Sequence, residues 1–141
     1  MKNIFIVLVA IVVTGMAASC QGLKVPVAVK NAFTAKFPGA TNVKWGKENA
    51  KEFEADFKLN NVTMSSNFGM DGSWVETETV IPVTDVPAVV SNAIKAKYPG
   101  TIISKAEKLE KPGGKVIYEA VVKIKGKSKE LEVNADGSFV K

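Results

Sequence analysis

The sequence predicts an α+β fold built as two tandem repeats, each one helix packed on about four antiparallel strands. Three observations carry this reading. The stretch Val86 to Gly100, VPAVVSNAIKAKYPG, repeats Val25 to Gly39, VPVAVKNAFTAKFPG, with nine of fifteen positions identical. Within each copy the apolar residues fall at helical spacing: Val25, Val29, Ala32, Phe33 and Phe37, then Val86, Val90, Ala93, Ile94 and Tyr98. After each copy, apolar and polar residues alternate with the period of a half-buried strand.

The first 19 residues read as an export signal. Lys2 precedes an apolar run from Ile4 to Val13 and small residues from Gly15 to Ser19, too short and wrongly flanked for a spanning helix. Cys20 is the single cysteine of the 141-residue chain. Ala17-Ala18-Ser19-Cys20 resembles a bacterial lipoprotein box, with Ala17 where such boxes favour Leu. Ordinary cleavage near Ala17 to Ser19 is the alternative. A lone thiol in an exported protein favours lipidation at Cys20. Residues 20–24 would then be a tether, 25–82 the first repeat and 83–141 the second, facing the periplasm.

Each helix is bounded by proline signals. Val-Pro opens it, where a missing N–H is harmless, and an aromatic-Pro-Gly triplet stops it. Asp85 is placed to cap the second helix. Ala40 to Lys47 reads as a short strand. Phe53, Ala55, Phe57 and Leu59 alternate with Glu54, Asp56 and Lys58, and Asn60-Asn61 suits a tight hairpin, since asparagine tolerates positive φ. Folding there sets Leu59 opposite Val62, Phe57 opposite Met64, Ala55 opposite Ser66 and Phe53 opposite Phe68. A strand from Ser73 to Ile81 follows Asp71-Gly72. In the second copy, a turn at Lys125-Gly126 pairs Ala120 with Leu131 and Tyr118 with Val133, and sets Glu119 opposite Glu132. That like-charged pair calls for a nearby cation, Lys123 or one on a neighbouring strand. Units this small are marginal alone, so the two are expected to share a core or a continuous sheet. Phe33, Phe53, Phe57, Ile94, Tyr118, Val122 and Leu131 are the expected core.

Trp74 and Phe139 follow the two Asp-Gly turns at equivalent places, and two local arguments conflict over them. A three-residue loop with a bulge turns both toward the helices; a two-residue loop turns both away. Trp74 shares parity with Glu76 and Glu78, and burying two carboxylates beneath a helix is costly. The expectation is therefore that Trp74 and Phe139 lie on the helix-free face, as aromatic anchors for a partner.

Composition excludes several chemistries. All 19 basic residues are lysine and histidine is absent, which removes the commonest general base and any Cys/His zinc site. Without Lys2 the mature part carries a formal charge of about +4, too mild and too poor in arginine for nucleic-acid binding. No nucleophile–base pair is visible, and no cofactor is implied. Glu76 and Glu78 on one strand face read as a solvated surface rather than a Ca²⁺ site. Lys123, Lys125, Lys127 and Lys129 surround one hairpin and read as a soluble sheet edge, with an acidic partner surface or anionic headgroups as the alternative.

The paired Val-Pro helices, the Lys-Phe/Tyr-Pro-Gly ends, Tyr/Phe-Glu-Ala, and Asp71-Gly72-Ser73-Trp74-Val75-Glu76-Thr77-Glu78 resemble the PepSY-like domains of bacterial envelope proteins, which are similar in fold to β-lactamase inhibitor protein. The resemblance covers nearly all of Val25 to Lys141. It implies an exported, non-catalytic binding or inhibitory module with an open sheet face for an envelope protein. Related domains in metallopeptidase propeptides suggest peptidase inhibition. The second copy lacks the Glu-Thr-Glu tail, so its last strand is expected to be short. Trp74, Phe139, Glu76, Glu78 and Lys123 are the candidate partner-binding residues. The competing reading is a carrier of lipid or a small ligand, which needs a cavity between helix and sheet on the order of 300 Å³. A carboxylate-based enzyme ranks third, because the strand register spreads the acids over an open face.

Overall fold

The computed structural model describes residues 23–140; the segment expected to be an export signal and Cys20 lie outside them. The order of elements is α1 (Val27–Lys36), β1 (Thr41–Lys47), β2 (Glu52–Leu59), β3 (Val62–Gly69), β4 (Trp74–Ile81), α2 (Ala88–Lys97), β5 (Ile103–Lys111), β6 (Lys115–Ile124) and β7 (Lys127–Asn134). All seven strands form one antiparallel sheet in chain order, β1 to β7. It is thus the sheet that is continuous. The packed interior is divided into two clusters, one under each helix.

The helices are shorter than the repeated motif. Pro26 and Pro87 stand at the N-caps and fix the entry angle, while Phe37 and Tyr98 close the last turns by donating their N–H to Phe33 O and Ile94 O. Asp85 does not cap α2. It sits in a 3₁₀ turn, Val83–Asp85, and the cap of α2 makes no side-chain hydrogen bond. The Pro-Val-Thr-Asp linker coils before the helix starts, which leaves Asp85 two residues upstream of the cap position held by Pro87.

Alternation of apolar and polar residues sets the register as expected. Leu59–Val62, Phe57–Met64, Ala55–Ser66 and Phe53–Phe68 pair across β2 and β3, and Ala120–Leu131 and Tyr118–Val133 across β6 and β7. Positive φ at Asn60 and Asn61, and at Lys125 and Gly126, makes both hairpins tight. Following the pairing from strand to strand places Ala55, Phe57, Ser66, Thr77, Ala106, Ala120 and Val122 on one face. Both helices cover that face. Under α1, Phe33 meets Phe57 edge-on at 5.0 Å and Trp45 at 5.2 Å, and Phe37 lies 4.6 Å from Phe57. Under α2 the packing is aliphatic, with Val90, Ile94, Val122 and Val133 fully buried. Six of the seven expected core residues are buried; Tyr118 is half-buried at the margin.

The second helix is followed by three strands rather than four. Where a fourth would lie, the chain makes one bridge, Val133 to Phe139, and one further bond from Val140 N–H to Glu132 O. The short last strand was expected from the missing Glu-Thr-Glu tail.

Trp74 and Phe139 lie on the helix side, contrary to expectation. Gly69 N–H donates to Ser73 O at 2.8 Å and Gly72 N–H to Gly69 O, enclosing the three-residue loop Met70-Asp71-Gly72, with Gly72 at φ +88°. Asn134 to Ser138 repeats it around Gly137. The bulged loop therefore prevails. It does not bury the carboxylates, because β4 carries a second irregularity. Trp74 pairs with Phe68 while Glu76 pairs with Asn67, so Val75 is an extra residue that flips the parity. Trp74 packs with the α1 cluster and Phe139 with the α2 cluster. Lys36 Nζ lies 3.6 Å from the Trp74 ring centroid, and Lys97 Nζ 3.8 Å from that of Phe139.

Candidate functional site on the helix-free sheet face

The face opposite the helices is assembled from alternate residues of β2 to β7. Two rows cross it. Glu54, Asn67 and Glu76 form one; Asp56, Ser65, Glu78, Leu109, Ile117 and Asn134 form the next. Beside them Glu107, Glu119 and Glu132 stand directly opposite one another on β5, β6 and β7. Like charges placed this way repel.

The electrostatics follow from that crowding. Burial, then the charges of Glu76, Glu107, Glu119 and Glu54, pushes the Glu78 carboxyl up to about 7. Burial, then Glu107, Glu130 and Glu132, pushes Glu119 up to about 7 as well, opposed by Lys105. Glu54 is raised by burial and by Asp56 and Glu48, with the nearby Ser65 hydroxyl opposing the shift. At neutral pH this face is partly protonated, and each further ionisation works against its neighbours.

Two lysines temper the repulsion. Lys105 Nζ lies 2.8 Å from Glu107 Oε1, and Lys111 Nζ lies 2.6 Å from Glu76 Oε2, a contact close in distance but off the hydrogen-bonding direction. The cation beside Glu119 is thus Lys105 of the neighbouring strand. Lys123 shares the face but is exposed at the far end of β6, opposite Ser128. Among the described residues, Glu54 and Glu78 have no ion-pair partner, and no group of three or more His, Cys, Asp or Glu side chains is arranged to hold a metal ion.

Of the candidate residues, Glu76 and Glu78 are therefore together on the helix-free face, Lys123 is at its edge, and Trp74 and Phe139 are absent from it. Asn67, Glu54, Glu107 and Lys111 belong to the face but gave no signal of their own in the sequence. An open depression of about 490 Å³ lies at the β1–β2 edge, lined by Asn42, Val43, Lys44, Asp56, Phe57, Lys58 and Thr63. It is not an enclosed space between helix and sheet, which is what the carrier reading needs.

The Asp-Gly-Ser motif has a structural role. Asp71 Oδ1 accepts from the Ser73 N–H at 2.9 Å and from its hydroxyl at 2.6 Å, and Asp136 and Ser138 repeat both bonds. The turns then press against the helices: a Cβ on Gly72 would lie 2.8 Å from Ala28 O, and one on Gly137 3.2 Å from Val89 O. These contacts clamp the end of each sheet half to the helix above it.

A family model described as "Putative beta-lactamase-inhibitor-like, PepSY-like" matches residues 51–141, about two thirds of the chain. The chain belongs to this family. Solved structures similar to this PepSY-like protein include a DUF2874 family protein from Bacteroides ovatus, 23% identical with a TM-score of 0.74, covering 85% of this chain and 87% of that one. A protein from Bacteroides eggerthii described among "putative periplasmic proteins" is 21% identical with a TM-score of 0.75, covering 84% and 88%. A BLIP-like protein from Bacteroides fragilis is 22% identical with a TM-score of 0.73, covering 86% of each chain. At these identities the likeness establishes the PepSY-like fold, two helices on one side of a seven-stranded antiparallel sheet. No curated protein matches.

Proposed function

We propose that this PepSY-like protein is a non-catalytic, exported binding module of the bacterial envelope that engages a protein partner through its helix-free sheet face, as an inhibitor or regulator of an envelope enzyme such as a peptidase. The observation that carries the reading is the face itself. Neither helix covers it among the described residues, and it holds carboxylates crowded enough to push Glu78 and Glu119 up to about 7. Such a face gains from a complementary, positively charged partner surface. The family membership and the periplasmic description of a structural neighbour support the compartment. The matching turns of Gly72 and Gly137 and the matching lysine–aromatic contacts of Trp74 and Phe139 support a tandem origin for the two halves.

Site-specific photo-crosslinking in cells tests the surface. A photoreactive residue at Thr63 or Val80, on the helix-free face, is expected to capture a partner, while one at Lys30 or Lys95, on the helices, is not. Capture from the helices alone would overturn the assignment. Cys20 is proposed to carry the lipid that holds the module at the membrane. A palmitate analogue is expected to label the wild type and not Cys20→Ser; an unlabelled wild type refutes the anchor.

A further inference from the structure

Asn67 is only 6% exposed, and its Oδ1 has no hydrogen-bond partner among the described residues. A buried acceptor left in this state costs about 1–3 kcal/mol, so its surroundings need an explanation. Asn67 stands between Glu54 on β2 and Glu76 on β4, paired with both. Its Nδ2 donates to Glu76 Oε1 at 3.3 Å. Ser65, in the adjacent row, hydrogen-bonds Glu78 Oε2 at 3.4 Å. An orphaned carbonyl oxygen thus lies among three carboxylates, of which only Glu76 has a lysine beside it. Acceptors outnumber donors here, and Asn67 Oδ1 is left without one.

We propose that Glu54, Asn67, Glu76 and Glu78 form a subsite for an arginine side chain of an extended polypeptide lying across the helix-free face. This rests on the reading of that face as the binding surface. The chemistry selects the ligand. A guanidinium presents five N–H donors in a flat fork, enough to serve the inward-leaning carboxylates of β2 and β4, whose strands flank β3 about 9–10 Å apart, together with the amide oxygen between them. By parting the Glu54 and Glu76 carboxylates it gives Asn67 Oδ1 the donor that it lacks. A metal ion is a poorer fit, because among the described residues the carboxylates spread along strands and do not converge on one point. A lysine ammonium offers a single point of charge, and Lys111 already supplies that to Glu76. Val80, exposed on the same face beyond Glu78, offers apolar contact for the neighbouring part of the peptide.

The test is a titration of the full chain, followed by NMR of the Asn67 side-chain amide, with N-acetyl-Gly-Arg-Gly-amide, its lysine and citrulline counterparts, and calcium chloride. The arginine peptide is expected to shift the Asn67 resonances saturably, with a dissociation constant tighter than about 10 mM. It is expected to bind about tenfold more tightly than the neutral citrulline peptide, and more tightly than the lysine one. Glu54→Gln and Glu76→Gln keep the side-chain shape and are expected to weaken binding at least about fivefold, while Glu130→Gln, outside the subsite, changes it less than about twofold. Circular dichroism of each variant shows that it is folded. No saturable shift, equal binding of arginine and citrulline, an equal loss in Glu130→Gln, or tighter binding of Ca²⁺ would each overturn the subsite. If Thr63 and Val80 still capture a partner, the face reading survives that failure. If the arginine peptide binds and capture maps to the helices, the subsite stands as a peptide site and the face reading falls.

Discussion

Replacing Glu78 by Gln is expected to stabilise the fold at pH 8 and to change it little at pH 5. The Glu78 carboxyl is raised from 4.5 to about 7, first by burial and then by Glu76, Glu107, Glu119 and Glu54. The remaining groups that bear on it from adjacent strands are Ser65, which donates to it, and the apolar Leu109. An acid whose folded value is raised binds a proton more tightly in the folded state than in the unfolded state. Its contribution therefore turns against folding as pH climbs above 4.5, and levels off above about 7. At about 1.4 kcal/mol per pH unit the full difference is about 3.4 kcal/mol. Glu78 is only half-buried, and solvent screening removes half of this or more, leaving about 1–1.5 kcal/mol at pH 8 and a few tenths at pH 5. Thermal unfolding followed by near-ultraviolet circular dichroism reads this as an upward shift of about 3–7 °C at pH 8. Asp85→Asn, in the exposed 3₁₀ turn, serves as the control. A Glu78→Gln protein no more stable at pH 8 than the wild type, or one equally stabilised at both pH values, would refute the account of the face as a set of repelling, partly buried acids.

Phe57→Ala is expected to cost about 3–5 kcal/mol in urea unfolding, because the ring is buried between Phe33 and Phe37; a loss below about 1 kcal/mol would contradict that packing. Gly72→Ala is expected to destabilise by about 1–2 kcal/mol more than Gly113→Ala. Both glycines have positive φ, but only the Cβ at Gly72 would strike a helix carbonyl. Equal losses would show that the turn does not bear on α1.

Most of the fold was legible because it obeys local periodicity. Phe53, Ala55, Phe57 and Leu59 alternate without interruption, so one hairpin at Asn60-Asn61 fixed the pairing of β2 and β3. The same logic failed at Trp74 for a physical reason. Val75 adds one residue to β4 and nothing to β3, so alternation read along β4 alone is wrong on one side of it. The argument that Glu76 and Glu78 avoid the helix side was sound, and the argument that the loop is bulged was sound; the second bulge allows both. Asp85 looked like a helix cap because its spacing from α2 depends on a 3₁₀ turn that leaves no periodic trace. The site was less legible than the fold. Its acids come from strands separated by α2, and only the pairing of β4 with β5 brings Glu78 near Glu107 and Glu119. Asn67 gave no signal at all, since a single asparagine in a polar run becomes notable only when burial leaves its oxygen without a donor.

The order of the sheet has a consequence for assembly. Every strand hydrogen-bonds the strand before it in the chain, and each helix precedes the strands that it covers. Closing such contacts requires few long loops, and the widest gap between paired strands is the one spanned by α2. A chain delivered N-terminus first can therefore lay each new strand on a surface already present, with α1 waiting for its Phe57 and Phe68 before α2 has been reached. The Asp136-Gly137-Ser138 turn with Phe139 follows β7, docks on Val89 and closes the α2 half. The α2 half is thus closed from beyond β7, where one short turn ties the sheet back to a helix laid down about forty residues earlier.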